Sequence, residues 1–176
     1  MLGSIRTYFF EKEKNRRMQG NSPVRVGFKR NKKNSYGLLV DASSPDDRNI
    51  AIAFAEELRK EGNRVKILGY VDGKSEGIGL SFDVFNASDL TKFSKVPKSS
   101  QVITFMETPF DVLINLSIRE NYKPIEYICA VSKAAFRIGP WHIPEHNVYD
   151  LCIPKENTTS LKGWINEVKH TLQKIY

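Results

Sequence analysis

The sequence predicts a three-layer, Rossmann-like α/β domain with a mainly parallel sheet, preceded by a basic amphipathic N-terminal helix. From residue 35 onward, continuous apolar runs alternate with segments of helical periodicity, which is typical of successive βαβ units. The length of 176 residues suffices for one domain with a sizeable core. We therefore divide the chain into a basic arm with its linker, residues 1–34, and one α/β domain, residues 35–176.

The charge distribution supports the same division. The first 36 residues contain ten basic and two acidic side chains, whereas the remaining 140 contain 17 basic and 18 acidic ones. A cationic segment attached to a nearly neutral domain is typical of proteins that bind a polyanion, because neutralising phosphates releases counterions and needs no particular base contact.

The arm is predicted to begin with a short helix over residues 2–18, in which apolar residues recur at helical spacing. Residues 20–23, Gly-Asn-Ser-Pro, end this helix. Residues 24–34 then form a polar, basic connector in which Phe28 is the one large apolar residue. The predicted apolar stripe of the helix consists of Leu2, Ile5 and Phe9.

The first half of the domain has clear boundaries. Residues 36–40 are predicted as a buried strand, and Ser44 as the N-cap of a helix that starts at Pro45 and ends at Gly62. Residues 65–71 are predicted as the second strand, because they are rich in β-branched residues.

The second half is less regular at its start. Residues 80–85 could form a strand or an irregular crossing, and residues 102–106 could form either a strand or a helix. The later elements are a strand at 111–116, a helix at 124–134, strands at 136–139 and 149–153, and a closing helix that begins at 158–160.

Composition restricts the class of protein. Cys129 and Cys152 each lie in an apolar run, which favours reduced, buried thiols over a disulfide framework. The N-terminus has no apolar segment of signal-peptide length, and no stretch approaches the roughly 20 apolar residues of a spanning helix. We therefore expect a cytoplasmic protein without a transmembrane segment.

No catalytic residue, metal site or cofactor is predicted, and a non-enzymatic protein is favoured while catalysis stays open. The loop 41–47 lacks glycine and places carboxylates at a helix N-terminus, so it caps the helix rather than binding a nucleotide. No residues suggest a catalytic triad. One cluster has metal-ligating residue types. Pro144 lies between its two histidines and prevents the helical register that would align them, so a surface loop is preferred to a metal site. That cluster is His142, Glu145, His146 and Cys152.

A second group of residues could bind a small anionic ligand. Asn115 and Ser117 follow one predicted strand, and Ser132, Lys133 and Arg137 lie just before or inside the next. If strand-end loops share one edge of a parallel sheet, Lys133 and Arg137 could hold an anionic group there. We favour a structural role for these residues over an anion site. In that interpretation Ser132 and Lys133 end a helix, and Arg137 is a solvated strand residue.

The arm interleaves cations with aromatic residues, a mixture suited to base stacking and phosphate contact. The leading hypothesis is that it binds RNA or a ribonucleoprotein. The alternatives are docking of the apolar stripe on the domain's own core, contact with an anionic membrane surface, and a solvated tail without function. The predicted nucleic-acid-binding residues are Phe9, Arg16, Arg17, Phe28, Lys29, Arg30, Lys32 and Lys33.

Residues 108–114 and 130–139 resemble a family of small basic α/β proteins from Bacteroidota that has no assigned function. The segments 37–41, 66–70 and 149–153 fit the same resemblance, which covers nearly the whole chain. This family supplies no mechanism.

A strand at 111–116 and a helix leading to an Arg-Ile-Gly strand within 130–139 are also faintly similar to the acceptor-side half of heptosyltransferase-like glycosyltransferases. That similarity implies a Rossmann-like architecture.

Overall fold

A parallel sheet of six strands forms the centre of the protein in a computed structural model that describes residues 2–20, 33–72, 80–118, 123–141, 148–154 and 160–175. The elements are α1 (Leu2–Gly20), β1 (Ser35–Asp41), α2 (Pro45–Lys60), β2 (Arg64–Tyr70), β3 (Asp83–Phe85), a 3-10 turn (Ala87–Asp89), α3 (Ser100–Glu107), β4 (Val112–Asn115), α4 (Lys123–Val131), β5 (Phe136–Pro140), β6 (Leu151–Ile153) and α5 (Leu161–Ile175).

The strand order is β3-β2-β1-β4-β5-β6, which is the order of a Rossmann fold. Side chains of β1 alternate between two apolar clusters: Leu38 and Val40 join the cluster with α2 and α5, and Leu39 joins the cluster with α3 and α4. Helices therefore cover both faces of the sheet. The predicted three-layer, Rossmann-like fold is confirmed.

Local sequence explains most of the boundaries. The Ser44 hydroxyl accepts a hydrogen bond from the Asp47 backbone N–H, Pro45 opens α2, and Gly62 follows the helix with a φ of +87°. The ambiguous segment 102–106 lies within α3, where Val102, Phe105 and Met106 are buried on one side of the helix. Their spacing of three and four residues is helical, which resolves the ambiguity.

Helix α1 forms as predicted, but a different face of it is buried. Phe10 is 1% exposed, and Lys14 is buried one turn later, whereas Ile5 and Phe9 are 45% and 42% exposed. The alternative that α1 docks through the apolar stripe is therefore wrong for Ile5 and Phe9, since the helix docks through another face. The Leu2 side chain lies outside the described residues. The physical reason is that Lys14 occupies the centre of the docked face, so this face does not stand out as apolar in the sequence.

Two further expectations can be compared with the structure. Cys129 is buried, Cys152 is partly buried, and both are free thiols. In the described part of the chain, no helix is long and apolar enough to cross a membrane.

Candidate nucleic-acid interface

An open groove of about 620 Å³ runs between α1 and the segment that leads into α3. Its walls combine basic and aromatic side chains from these two separate parts of the chain. We call it the basic-aromatic groove; its lining is Phe9, Lys12, Glu13, Arg16, Arg17, Thr91, Phe93, Ser94, Val96, Pro97, Lys98 and Ile103.

The far wall of the groove is a tight loop, residues 91–98, which we call the lysine loop. Its two ends are held together because the Thr91 N–H donates to the Val96 carbonyl over 2.9 Å. The Thr91 hydroxyl also accepts from the Val96 N–H over 3.1 Å and lies 2.7 Å from the Ser94 hydroxyl. These bonds turn the intervening side chains outward. Lys92, Phe93, Lys95 and Lys98 are all exposed.

Two exposed aromatic rings, Phe9 and Phe93, line the groove, and a third, Tyr8, lies next to Phe9. The Phe9 and Phe93 centroids are 5.9 Å apart with the rings nearly perpendicular, and Tyr8 makes a similar edge contact to Phe9 at 5.6 Å. Tyr8 and Phe93 are 62% and 61% exposed. Exposed rings flanked by cations have the composition of a surface that stacks bases and contacts phosphates.

One carboxylate sits among the cations of α1. Arg16 donates to Glu13 through Nε at 3.0 Å and Nη2 at 2.7 Å, and Arg17 Nε donates to the same carboxylate at 3.5 Å. The hydrogen bond from Arg16 lowers the pKa of Glu13, so this side chain is ionised at neutral pH. Glu13 thus holds both guanidinium groups at the groove.

An adjacent face of α1 packs against α4. Phe10 packs against Tyr127 with 5.9 Å between ring centroids, and the Lys14 ammonium forms ion pairs with Glu126 at 2.7 Å and Glu11 at 2.8 Å. Burial alone lowers the pKa of Lys14, but the hydrogen bonds to Glu11 and Glu126 outweigh this effect and raise it. The helix therefore docks on the domain and still presents a basic face outward.

The predicted nucleic-acid-binding residues occupy different places. Phe9, Arg16 and Arg17 line the groove. Lys33 lies two residues before β1, with its side chain next to Gly62 and not in the groove lining. The remaining predicted residues, Phe28, Lys29, Arg30 and Lys32, lie outside the described residues.

The lysine loop is not among the residues that the sequence predicts to bind nucleic acid. Its signal is present, since residues 91–98 read Thr-Lys-Phe-Ser-Lys-Val-Pro-Lys, three lysines and one phenylalanine without an acidic residue. Summing charge over the whole of residues 35–176 concealed this local excess, because carboxylates elsewhere in the domain cancel it.

The five candidate ligand residues are not brought together. Asn115 and Ser117 lie at the edge where the strands end, whereas Ser132 and Lys133 lie at the edge where they begin, as the bond from the Lys133 N–H to the Met106 carbonyl shows. Arg137 stands beside Leu113 near the start of β5. In a parallel sheet the end of one strand and the start of the next are at opposite edges, so the expectation of a shared edge is wrong.

Most of these five side chains have structural partners. Arg137 forms an ion pair with Asp150 at 3.1 Å, and Lys133 forms one with Glu107. Arg137 is 8% exposed, which corrects the alternative that it is a solvated strand residue, and Ser132 Oγ accepts from the Ala134 N–H over 3.1 Å. Such contacts make these residues part of the packing between α4, β5 and the residues before β6.

Asn115 and Ser117 belong to a buried polar group at the other edge. Asn115 Nδ2 donates to the Tyr149 hydroxyl over 2.7 Å, and Asn115 Oδ1 accepts from the Ser117 N–H over 2.8 Å. The Asn115 carbonyl accepts from the Trp164 indole N–H at 3.0 Å. Asn115 therefore connects β4 to α5 and to the residues before β6.

Two other candidate sites stay without support. At the start of α2, burial raises the pKa of Asp47, and the negative charges of Asp41 and Asp46 raise it further. The same carboxylates would repel the phosphates of a nucleotide at this helix N-terminus. Within the described ranges, no group of three histidine, cysteine, aspartate or glutamate residues could hold a metal ion. His142, Glu145 and His146 lie outside these ranges.

Sequence comparison places the chain among uncharacterised proteins. The model of one family, described as a family of unknown function, matches residues 6–175. No curated protein and no protein of solved structure matches the sequence significantly. The expectation of an uncharacterised family is thereby confirmed, while the origin in Bacteroidota and the similarity to heptosyltransferases stay predictions.

Proposed function

We propose that this chain, which belongs to the DUF6913 family of unknown function, binds single-stranded RNA through the basic-aromatic groove. The observation that carries the proposal is the exposed pair Phe9 and Phe93, which is flanked by basic side chains from both α1 and the lysine loop. Aromatic rings presented to solvent beside cations can stack unpaired bases while the cations contact the backbone.

The charge of the groove supports a polyanionic ligand. The lysine loop has no acidic residue, and on α1 the cations Lys12, Arg16 and Arg17 face one carboxylate, Glu13. Because the cations come from two elements on opposite sides of the groove, they can contact successive phosphates of one strand. A single strand is favoured over a duplex, since stacking on Phe9 or Phe93 needs a base that is free of its partner.

The first test measures binding of fluorescein-labelled U12 RNA to the full-length protein by fluorescence anisotropy between 50 and 200 mM KCl. If about four phosphates are contacted, the slope of log affinity against log salt is about −2.8, and affinity falls about 50-fold over this range. An affinity independent of salt, or preferential binding to vesicles of anionic lipid, would contradict the proposal.

The second test replaces the cations of the lysine loop. The variant Lys92→Gln, Lys95→Gln, Lys98→Gln is expected to make the salt slope less steep by about 2, because up to three phosphate contacts are lost. The matched control is Lys60→Gln, Lys162→Gln, Lys174→Gln, which removes the same charge from exposed positions of α2 and α5 on the other face of the sheet. Equal effects of the two triple variants would mean that only net charge matters.

The third test concerns stacking. Phe93→Ala is expected to weaken U12 binding about tenfold, because one stacked base is worth about 1–3 kcal/mol. Trp141→Ala is the control, since Trp141 is 56% exposed and does not line the groove. Unchanged binding by Phe93→Ala would exclude stacking as the basis of recognition.

A further inference from the structure

Among the residues that the structure describes, one buried hydroxyl under α1 has no hydrogen-bond partner. Tyr127 on α4 is fully buried, and its Oη has no hydrogen-bond partner among the residues that the structure describes. Leaving such a hydroxyl unpaired is unfavourable, so the position calls for an explanation. The ring lies under α1, packed against Phe10.

The surroundings of this hydroxyl are charged. Glu13 and Arg17 follow Phe10 by three and seven residues, so they lie along the side of α1 that packs on the Tyr127 ring. Burial raises the pKa of Tyr127, and the charges of Arg17, Glu13 and Arg16 also act on its hydroxyl. All three line the groove. An anion that reached the two guanidinium groups would therefore come close to a hydroxyl that lacks an acceptor.

Glu13 occupies this position in the manner of a bound anion. Its Oε1 accepts from both Arg16 and Arg17, and its Oε2 accepts a second bond from Arg16. A carboxylate has two oxygens, and both are engaged by arginines. A phosphate group has additional oxygens and can accept from two guanidinium groups and a hydroxyl together.

We propose that Arg16, Arg17 and Tyr127 form a phosphate subsite, and that Glu13 is the internal carboxylate which the incoming phosphate displaces. The proposal rests on the proposed function, since it assigns one RNA phosphate to a defined position in the groove. Glu13 competes with the ligand for the two arginines. The measured affinity therefore reflects how much more strongly the site binds the phosphate than the Glu13 carboxylate.

The test uses Tyr127→Phe and the same U12 RNA. The variant is expected to bind about tenfold more weakly with an unchanged salt slope, because it loses a hydrogen bond to a charged group and no charge. Its melting temperature should equal or exceed that of the wild type, since the hydroxyl is unpaired without ligand. The control is Tyr36→Phe, which removes a hydroxyl from a buried tyrosine in the other apolar cluster.

Displacement of Glu13 is tested by Glu13→Gln, which is expected to bind U12 at least threefold more tightly than Glu56→Gln. Both variants remove one negative charge, but Glu56 pairs with Arg59 on α2, away from the groove. Thus the ratio between them reports the loss of the competing carboxylate rather than net charge.

The outcomes separate the subsite from the function that contains it. If wild type binds U12 and the lysine-loop variant weakens it, while Tyr127→Phe and Glu13→Gln match their controls, the subsite is wrong and RNA binding stands. If wild type does not bind U12, RNA binding is wrong, and inorganic pyrophosphate tests the subsite alone. A rise in melting temperature with pyrophosphate that Tyr127→Phe abolishes supports the subsite, and no rise overturns it.

Discussion

Phe10→Ala is expected to lower the free energy of unfolding by about 3–4 kcal/mol, the usual cost of truncating a fully buried phenylalanine. Phe10 is 1% exposed, packs against Tyr127, and has the ammonium groups of Lys14 and Lys123 within 5.6 and 5.5 Å of its ring centroid. The substitution leaves a cavity between α1 and α4 and removes the ring that both cations contact. Urea denaturation followed by circular dichroism measures the change.

Phe9→Ala is the matched control, because it removes the same side chain one position earlier on the helix. Phe9 is 42% exposed, so its loss is expected to cost less than about 1 kcal/mol of stability. It should instead weaken U12 binding, since Phe9 lines the groove. Equal stability losses for the two variants would mean that α1 does not dock through Phe10.

Because α1 docks on the domain, deleting the arm is a poor test of its function. A chain that starts at residue 35 loses Phe10 and Lys14, which uncovers Tyr127 and leaves Glu126 without its ammonium partner. Deleting the arm therefore changes both charge and packing, so loss of RNA binding by such a chain would not distinguish the two. Point substitutions in the full chain are the sharper test.

Gly139→Ala is the second substitution with a large expected effect, about 3 kcal/mol of destabilisation. A Cβ at Gly139 would lie 2.3 Å from Cε1 and Cζ of Tyr149. The ring cannot move away cheaply, because Tyr149 is buried and its hydroxyl is bonded to Asn115. Thermal and urea unfolding measure the loss.

Two comparisons identify the cause. Gly20→Ala adds the same methyl group where nothing lies within 4 Å, so it should be neutral or slightly stabilising. Tyr149→Leu should be destabilising alone, yet the double variant with Gly139→Ala should lose less than the two single losses together, because the shorter side chain relieves the clash. Strict additivity would show that the clash does not explain the loss.

Local patterns were enough to predict most of the fold. The cap at Ser44, the turn at Gly62 and the alternation of apolar runs with helical periodicity each act within a few residues, so they are readable in the sequence. The segment 102–106 stayed ambiguous because a run of five residues can satisfy either period.

The candidate site was only partly predictable. Phe9, Arg16 and Arg17 were identified as possible nucleic-acid contacts from the mixture of cations and aromatic rings in the arm. Phe93 and Lys98 were not, because they are more than 75 positions away in the chain and line the same groove only when α1 folds back over the domain. Such pairings depend on topology, which charge counts along the chain do not contain.

By itself, the sequence determined the fold class, the order of most helices and strands, and the presence of an N-terminal helix, because these follow from local propensity and periodicity. Only the tertiary structure decided which face of α1 is buried, since the outcome depends on Tyr127 and Glu126, more than a hundred residues away. Tertiary structure also separated Asn115 from Arg137 and joined Phe9 to Phe93. Contacts between distant segments depend on packing and on the cost of burying charge in the folded protein. A short stretch of sequence does not contain this information.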